Sequence, residues 1–138
     1  MTVPAWLQEC IDDVNQLSKE LRTPDVINER ARAYSFEAAS WLQTAEGTGG
    51  ADHADLRAIL AHDCAVIPAS VCRALSGWQH RAQTPGDPAK VARLCIERSR
   101  AAWTAAVRRG LAPAGEIGPF LSELDAIRED LDRLFPRS

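Results

Sequence analysis

The sequence predicts a single all-α domain over residues 1–138, a bundle of about five helices with the fourth at its centre. Three observations lead there. Apolar residues recur three and four apart in every long segment, the spacing that puts them on one face of a helix. No segment alternates apolar and polar residues as a half-buried strand does, and β-branched residues are sparse. Of the 138 residues 46% are hydrophobic and 25% charged, an ordinary globular composition in a chain long enough to bury a core without metal or disulfide support.

The first segment carries Leu7, Cys10, Val14, Leu17 and Leu21 on one face. Thr23-Pro24-Asp25 then places a capping residue before a proline at a first helical position, so a second helix is expected to start there. Its face is Ile27, Ala31, Tyr34, Ala38, Trp41 and Ala45, and Gly47-Thr48-Gly49-Gly50 ends it. The third segment holds Leu56, Leu60, Ile67, Val71, Ala74 and Trp78. Pro68 inside it lacks an amide hydrogen and is expected to kink or split the helix. Pro85-Gly86-Asp87-Pro88 is a turn that supplies a cap, Asp87, and a first-turn proline, Pro88. The fourth segment, Pro88 to Gly110, has two apolar stripes: Val91, Cys95, Ala102 and Ala105, and Ala92, Ile96, Trp103 and Val107. A helix apolar on two sides belongs inside the bundle. Gly110 to Pro119 is rich in glycine and proline, ends that helix, and leads into the last one with Ile117, Phe120, Leu124, Ile127, Leu131 and Leu134.

A formal net charge of −3 argues against nucleic-acid binding by bulk charge but leaves a local basic surface open. Lys90, Arg93, Arg100 and Arg108 form such a surface row on the fourth segment, with Arg109 nearby. The last segment offers Glu123, Asp125, Glu129, Asp130 and Asp132, and complementary faces within one bundle or between two copies account for both runs. No stretch approaches roughly 20 uninterrupted apolar residues, so no membrane span is expected. The N-terminus shows no basic stretch followed by an apolar block, so a cytoplasmic protein with reduced cysteines is expected. Cys10, Cys64, Cys72 and Cys95 never occur as C-x-x-C and no histidine has zinc-ligand spacing with another, so no metal site is expected. With no E-x-x-H pair and no phosphate-binding glycine loop, no cofactor is expected either.

Asp55 to Cys64, DLRAILAHDC, is the stretch with most chemical content. Arg57 and His62 in it resemble the R-x(4–6)-H motif of the HEPN family, and its R-x4-H-x-Y variant found in bacterial toxins. The resemblance implies an all-helical bundle that dimerises and cleaves RNA without metal, the arginine and histidine meeting at the dimer interface. His62 would then take or give a proton at the RNA 2′-hydroxyl or the leaving oxygen. Arg57 would stabilise charge growing on the phosphate. Ala58 stands where the family usually has a polar residue, Cys64 replaces the tyrosine, and two helices follow instead of one. Arg57 and His62 lie about 140° apart on a regular helix, so they share a phosphate only through distortion or a second subunit. His62 sits opposite the main stripe between Ile59 and Val66, a second small apolar patch for a loop, a helix or another copy. The plainer expectation is a half-buried histidine and a surface arginine.

Arg98 shares an arc with Val91, Cys95 and Ala102, so its head either reaches the surface or is paired inside. Asp63 is a candidate partner. The two are expected to form a structural ion pair or, alternatively, to bind a small ligand in a pocket. No catalytic or cofactor motif rises above chance spacing. The expected function is therefore that of a small cytoplasmic helical-bundle protein acting through protein–protein contacts, a regulator, adaptor or immunity-type protein, with a protein partner or as a homodimer. The alternative is an HEPN-like metal-independent ribonuclease using Arg57 and His62 at a dimer interface, with RNA as partner only in that case.

Overall fold

The structure, a computed structural model, describes residues 3–44, 53–79 and 86–135. Those residues form an all-α bundle of four long helices, α1 (Ala5–Thr44), α2 (Ala54–Gln79), α3 (Pro88–Arg108) and α4 (Ala114–Leu134). α1 packs on α2 and α4, and so does α3, which puts α1 and α3 at opposite corners. Cross-helix pairs set the directions. Arg109 reaches Asp55 while Arg98 reaches Asp63, so α2 and α3 are antiparallel. Arg93–Asp132 and Arg100–Asp125 make α3 and α4 antiparallel, and Trp41–Glu116 with Arg30–Asp130 does the same for α1 and α4. Neighbours therefore alternate up and down, as short connections demand.

The core is where the four apolar faces meet. Trp103 of α3 is fully buried and crosses to the opposite corner, its ring stacked on Phe120 at 4.9 Å and edge-on to Trp41 at 5.4 Å. Tyr34 closes the group edge-on to Phe120 at 6.2 Å. Such offset and edge-to-face arrangements suit the ring quadrupoles. α3 carries its buried residues, from Ala89 and Ala92 to Trp103 and Ala106, on one broad face, while Val91 and Leu94 on its other side stay exposed. By length and composition α2 is apolar enough to cross a membrane. Here its Leu56, Leu60, Ile67, Val71 and Leu75 are buried among the other helices, and Asp63 among them is ion-paired.

Two caps form where the sequence places them. Asp87, at φ 45°, accepts a hydrogen bond from the Lys90 amide and Pro88 opens α3. At the other end Gly110 adopts φ +75°, its amide bonding the Val107 carbonyl while the Leu111 amide bonds that of Ala106, the double closure of a helix by a left-handed residue. The break expected at Gly47 to Gly50 lies outside the described residues.

The prolines behave differently from expectation. Pro24 does not begin a new helix: the first two segments are one 40-residue helix. The fixed φ of proline is itself helical, and no glycine precedes Pro24 to release the chain into a turn, so one missing hydrogen bond does not stop the helix. Pro68 does not split α2 either. Its missing amide would orphan the carbonyl four residues back, that of Cys64. The Ser35 hydroxyl of α1 donates to that carbonyl. An interhelical bond thus replaces the intrahelical one, which is how a buried helix tolerates the proline.

Ser35→Ala is expected to cost about 1 kcal/mol in denaturant unfolding, because it leaves the carbonyl unsatisfied. In a Pro68→Ala background, where the new amide takes that carbonyl, the same substitution should cost less than half as much. Equal costs in both backgrounds would show that the two residues are not linked.

Candidate functional site

Asp63 is a carboxylate with no solvent exposure, in the middle of α2. Arg98, one turn and a half along α3 from Phe-stacked Trp103, donates from Nε to Oδ2 at 3.1 Å and from Nη2 to Oδ1. The Ser99 hydroxyl donates to Oδ2 at 3.0 Å, and Nδ1 of His62 lies 3.1 Å from Oδ1. Four donors thus meet a group with about four lone-pair sites. Burial by itself would raise the Asp63 pKa. The hydrogen bonds from Arg98, His62 and Ser99, together with the Arg98 charge, outweigh it and hold the carboxyl below its ordinary value. For His62 to donate, its proton must sit on Nδ1. Its 3.3 Å approach to Arg98 Nη2 is then a contact between two donors, and Nε2 is left to the solvent on a ring that is largely exposed.

The polar network continues inward. Trp103 Nε1 donates to the Tyr34 hydroxyl at 3.0 Å, linking α3 to α1. Burial raises the Tyr34 pKa far above its usual value, with bonds to Trp103 and Ser99 offsetting only part of that. Burial likewise pushes the Cys64 thiol up to about 11 and raises that of Cys95, with the Asp63 charge adding to both. Thiols held protonated in this way are poor nucleophiles. Among the described residues no group of three or more metal-ligating side chains converges.

Arg98 and Asp63 are therefore brought together, and each uses the other. Arg57 and His62 are not. Arg57 lines an open groove between α1 and α2 with Leu42, Gln43, Ala58 and Ala61, whereas His62 faces Arg98 on the α3 side. The apolar patch around His62 is also smaller than the sequence implies, since Ile59 and Val66 pack partly buried against the core. The basic row is largely matched within the chain: Arg93 pairs with Asp132 at 2.8 Å and Arg100 with Asp125 at 2.8 Å. Asp130 takes Arg30 at 2.6 Å and also Arg133. Lys90 and Arg108 remain exposed at the two ends of the row.

Among the described residues, several exposed large apolar side chains gather elsewhere, at the start of α1. Arg30 meets Asp130 four residues before α4 ends at Leu134, so α4 runs out opposite the middle of α1. None of residues 3–15 is buried. Trp6 is 66% exposed and Val14 64%, with Leu7, Cys10 and Ile11 exposed on the same arc. The sequence assigns this face to the core, and over residues 3–15 the structure corrects that: α1 outlasts its neighbours and its first turns are an arm. A signal was present. It lies in residue types and not in spacing: Leu7, Cys10, Val14, Leu17 and Leu21 step by three and four just as the buried face of α4 does, but the turns around them also carry Trp6 and Ile11, which widen the apolar arc.

Asp63→Ala should lower unfolding free energy by about 2 kcal/mol, because it leaves the buried Ser99 hydroxyl unmet while half-exposed Arg98 turns to solvent, whereas His62→Ala on the exposed side should cost under about 1 kcal/mol. Because the Asp63 pKa is depressed on folding, its contribution is complete above the ordinary carboxylate range and fades as pH falls from about 4 downward. Urea midpoints measured between neutral and acidic pH should fall less steeply in Asp63→Ala than in wild type. Parallel acid limbs would count against this assignment.

Set against known protein families, curated proteins and solved structures, the chain shows no match.

Proposed function

We propose that the protein acts through protein–protein contact, as a small cytoplasmic regulator, adaptor or immunity-type protein, with the first turns of α1, up to residue 15, as its docking surface. The supporting observation is the arm itself. Trp6, Leu7, Ile11 and Val14 are exposed together on one helix, and contiguous apolar surface of that kind marks an interaction site rather than ordinary surface scatter. Trp and Leu anchors on one helical face are what a groove or a second helix recognises. The polar network around Asp63 then serves to hold the bundle that carries the arm.

A photoreactive residue in place of the exposed Gln8 tests this in the cell. Covalent adducts of defined mass are expected, and Val14→Asp should remove them. If no adduct of any mass forms, the arm is not a docking surface.

His62 supports a second reading, the HEPN-like ribonuclease. Its imidazole is exposed, oriented by Asp63 through Nδ1, and presents Nε2 outward, a suitable posture for proton transfer. Arg57 of the same chain faces away, so a second copy or Arg98 would have to meet the phosphate. Incubation of a mixed RNA pool with chelator present decides it. Cleavage by wild type that His62→Ala abolishes establishes the reaction, and uncut RNA removes it.

A further inference from the structure

The two ends of α1 carry complementary surfaces. Near its C-terminal end, Ala39, Leu42 and Gln43 form one wall of an open groove of 510 Å³, with Arg57, Ala58 and Ala61 of α2 in the other. Arg57 is the one charged residue among these, and it has no ion-pair or hydrogen-bond partner among the described residues. Phe36, 74% exposed, stands one turn before Ala39. At the other end Trp6, Leu7, Cys10, Ile11 and Val14 are all exposed. The arm offers large side chains, and the groove is open because its own are mostly small.

Both surfaces lie on the same side of the helix. Leu42 and Gln43 follow Trp6 and Leu7 by 36 residues, which is ten full turns. That span is about 54 Å of helix, so an arm does not reach the groove of its own chain. A second copy laid antiparallel against this side brings each arm to the other's groove. A face that holds both halves of a contact at its two ends is self-complementary, as a two-fold interface requires.

Charge agrees with that geometry. The apolar arc of the arm has two unlike edges. Asp13 borders one, two turns on from Trp6, with Glu9 behind it, whereas neutral Gln8 and Asn15 border the other beside Ile11. The Trp6 edge is the one toward α2, since Leu42, ten turns on, is buried where α1 meets α2. In a two-fold pair with α1 against α1, both α2 helices fall on one side of the pair. The acidic edge of each arm then lies over α2 of the other copy, where Arg57 is free to meet it. Nearby acids do not compete: Asp55 is held by Arg109, and Glu37 points away from Ala39 around α1. Between the two contacts, residues 16–32 hold Glu20, Asp25 and Glu29 against Lys19, Arg22 and Arg32, with Arg30 bound to Asp130, so that stretch is balanced. The groove on α3 matches less well, because its Glu97 and Arg100 already hold Arg128 and Asp125.

We infer that the arm of one copy seats in the α1–α2 groove of a second copy, reciprocally, with the two α1 helices antiparallel about a two-fold axis. Asp13 of each arm faces Arg57 of the other copy, and the apolar arc covers Ala58, Ala61 and Phe36. This rests on the arm being the docking surface and names its partner as the same chain.

Light scattering, charge exchange and disulfide trapping on the full chain test this. Wild type is expected at twice the chain mass. Val14→Asp in the arm and Ala58→Arg in the groove should each weaken the dimer by about tenfold or more, with helicity by circular dichroism unchanged. Arg57→Glu should weaken it, and Asp13→Lys added to the same chain should restore it. In a Cys72→Ser background, native Cys10 should form an intermolecular disulfide with the cysteine of Ala58→Cys under mild oxidation. A monomeric wild type overturns the proposal. So does a dimer indifferent to both Ala58→Arg and Arg57→Glu, and a Cys10–Cys10 disulfide in that dimer would mean that arm pairs with arm. Gln8 adducts to a different protein, with a monomer in solution, would leave the arm as a docking surface and remove only the self-association.

Discussion

A carboxylate with no access to water has to be answered by donors, and Asp63 draws four of them from two helices. The requirement is geometric. Arg98 and Ser99 are consecutive on α3 and can both reach one carboxylate only if α2 and α3 keep a single register. From Ser99 the polar line passes to Tyr34 and Trp103, so α1 is tied to the same register through side chains in the core. Apolar burial would tolerate small slides between these helices, since Leu, Ile and Val faces fit one another in several offsets. The buried charge does not, because each offset leaves a donor or an acceptor unmet at a cost of a few kcal/mol. Specificity in this bundle therefore comes from its least hydrophobic residue.

The prolines belong to the same logic of satisfied backbone groups. Pro68 removes a donor from the centre of α2, and Ser35 supplies one from α1, so a defect in one helix becomes a tie to its neighbour. Pro24 is buried inside the continuous α1 and does not end it. Together they show why a proline in a helical pattern marks a lost hydrogen bond and not necessarily an end.

Much of the architecture was legible. Helical periodicity identified the α-class and most of the core, from Ile27 and Tyr34 to Leu124 and Leu131. Asp87, Pro88 and Gly110 declared their caps because those residue types answer local geometry. The Arg98–Asp63 pair was anticipated because an arginine on an apolar arc needs a partner. What escaped depends on neighbours. A stripe shows that a helix has an apolar face but not whether another element reaches it, so the arm looked like core. Thr23-Pro24-Asp25 looked like a helix start because a local rule cannot see the backbone continuing on both sides. Ser35 carried no signal at all, since its role exists only opposite Pro68. At the candidate site, spacing alone joined Arg57 to His62, whereas the third dimension turns them toward different neighbours.

α1 also has a kinetic side. An isolated helix of the arm's length is marginal in water, chiefly because its first turn must be ordered before any hydrogen bond rewards it. Here the part of α1 held in the bundle, from Ile27 onward, acts as that first turn. The arm only has to be propagated, one residue at a time, from a template that is already wound. A partner of the proposed kind would therefore meet a helix rather than a coil, and its encounter with the arm would be a docking event at a set heading instead of a coupled folding reaction.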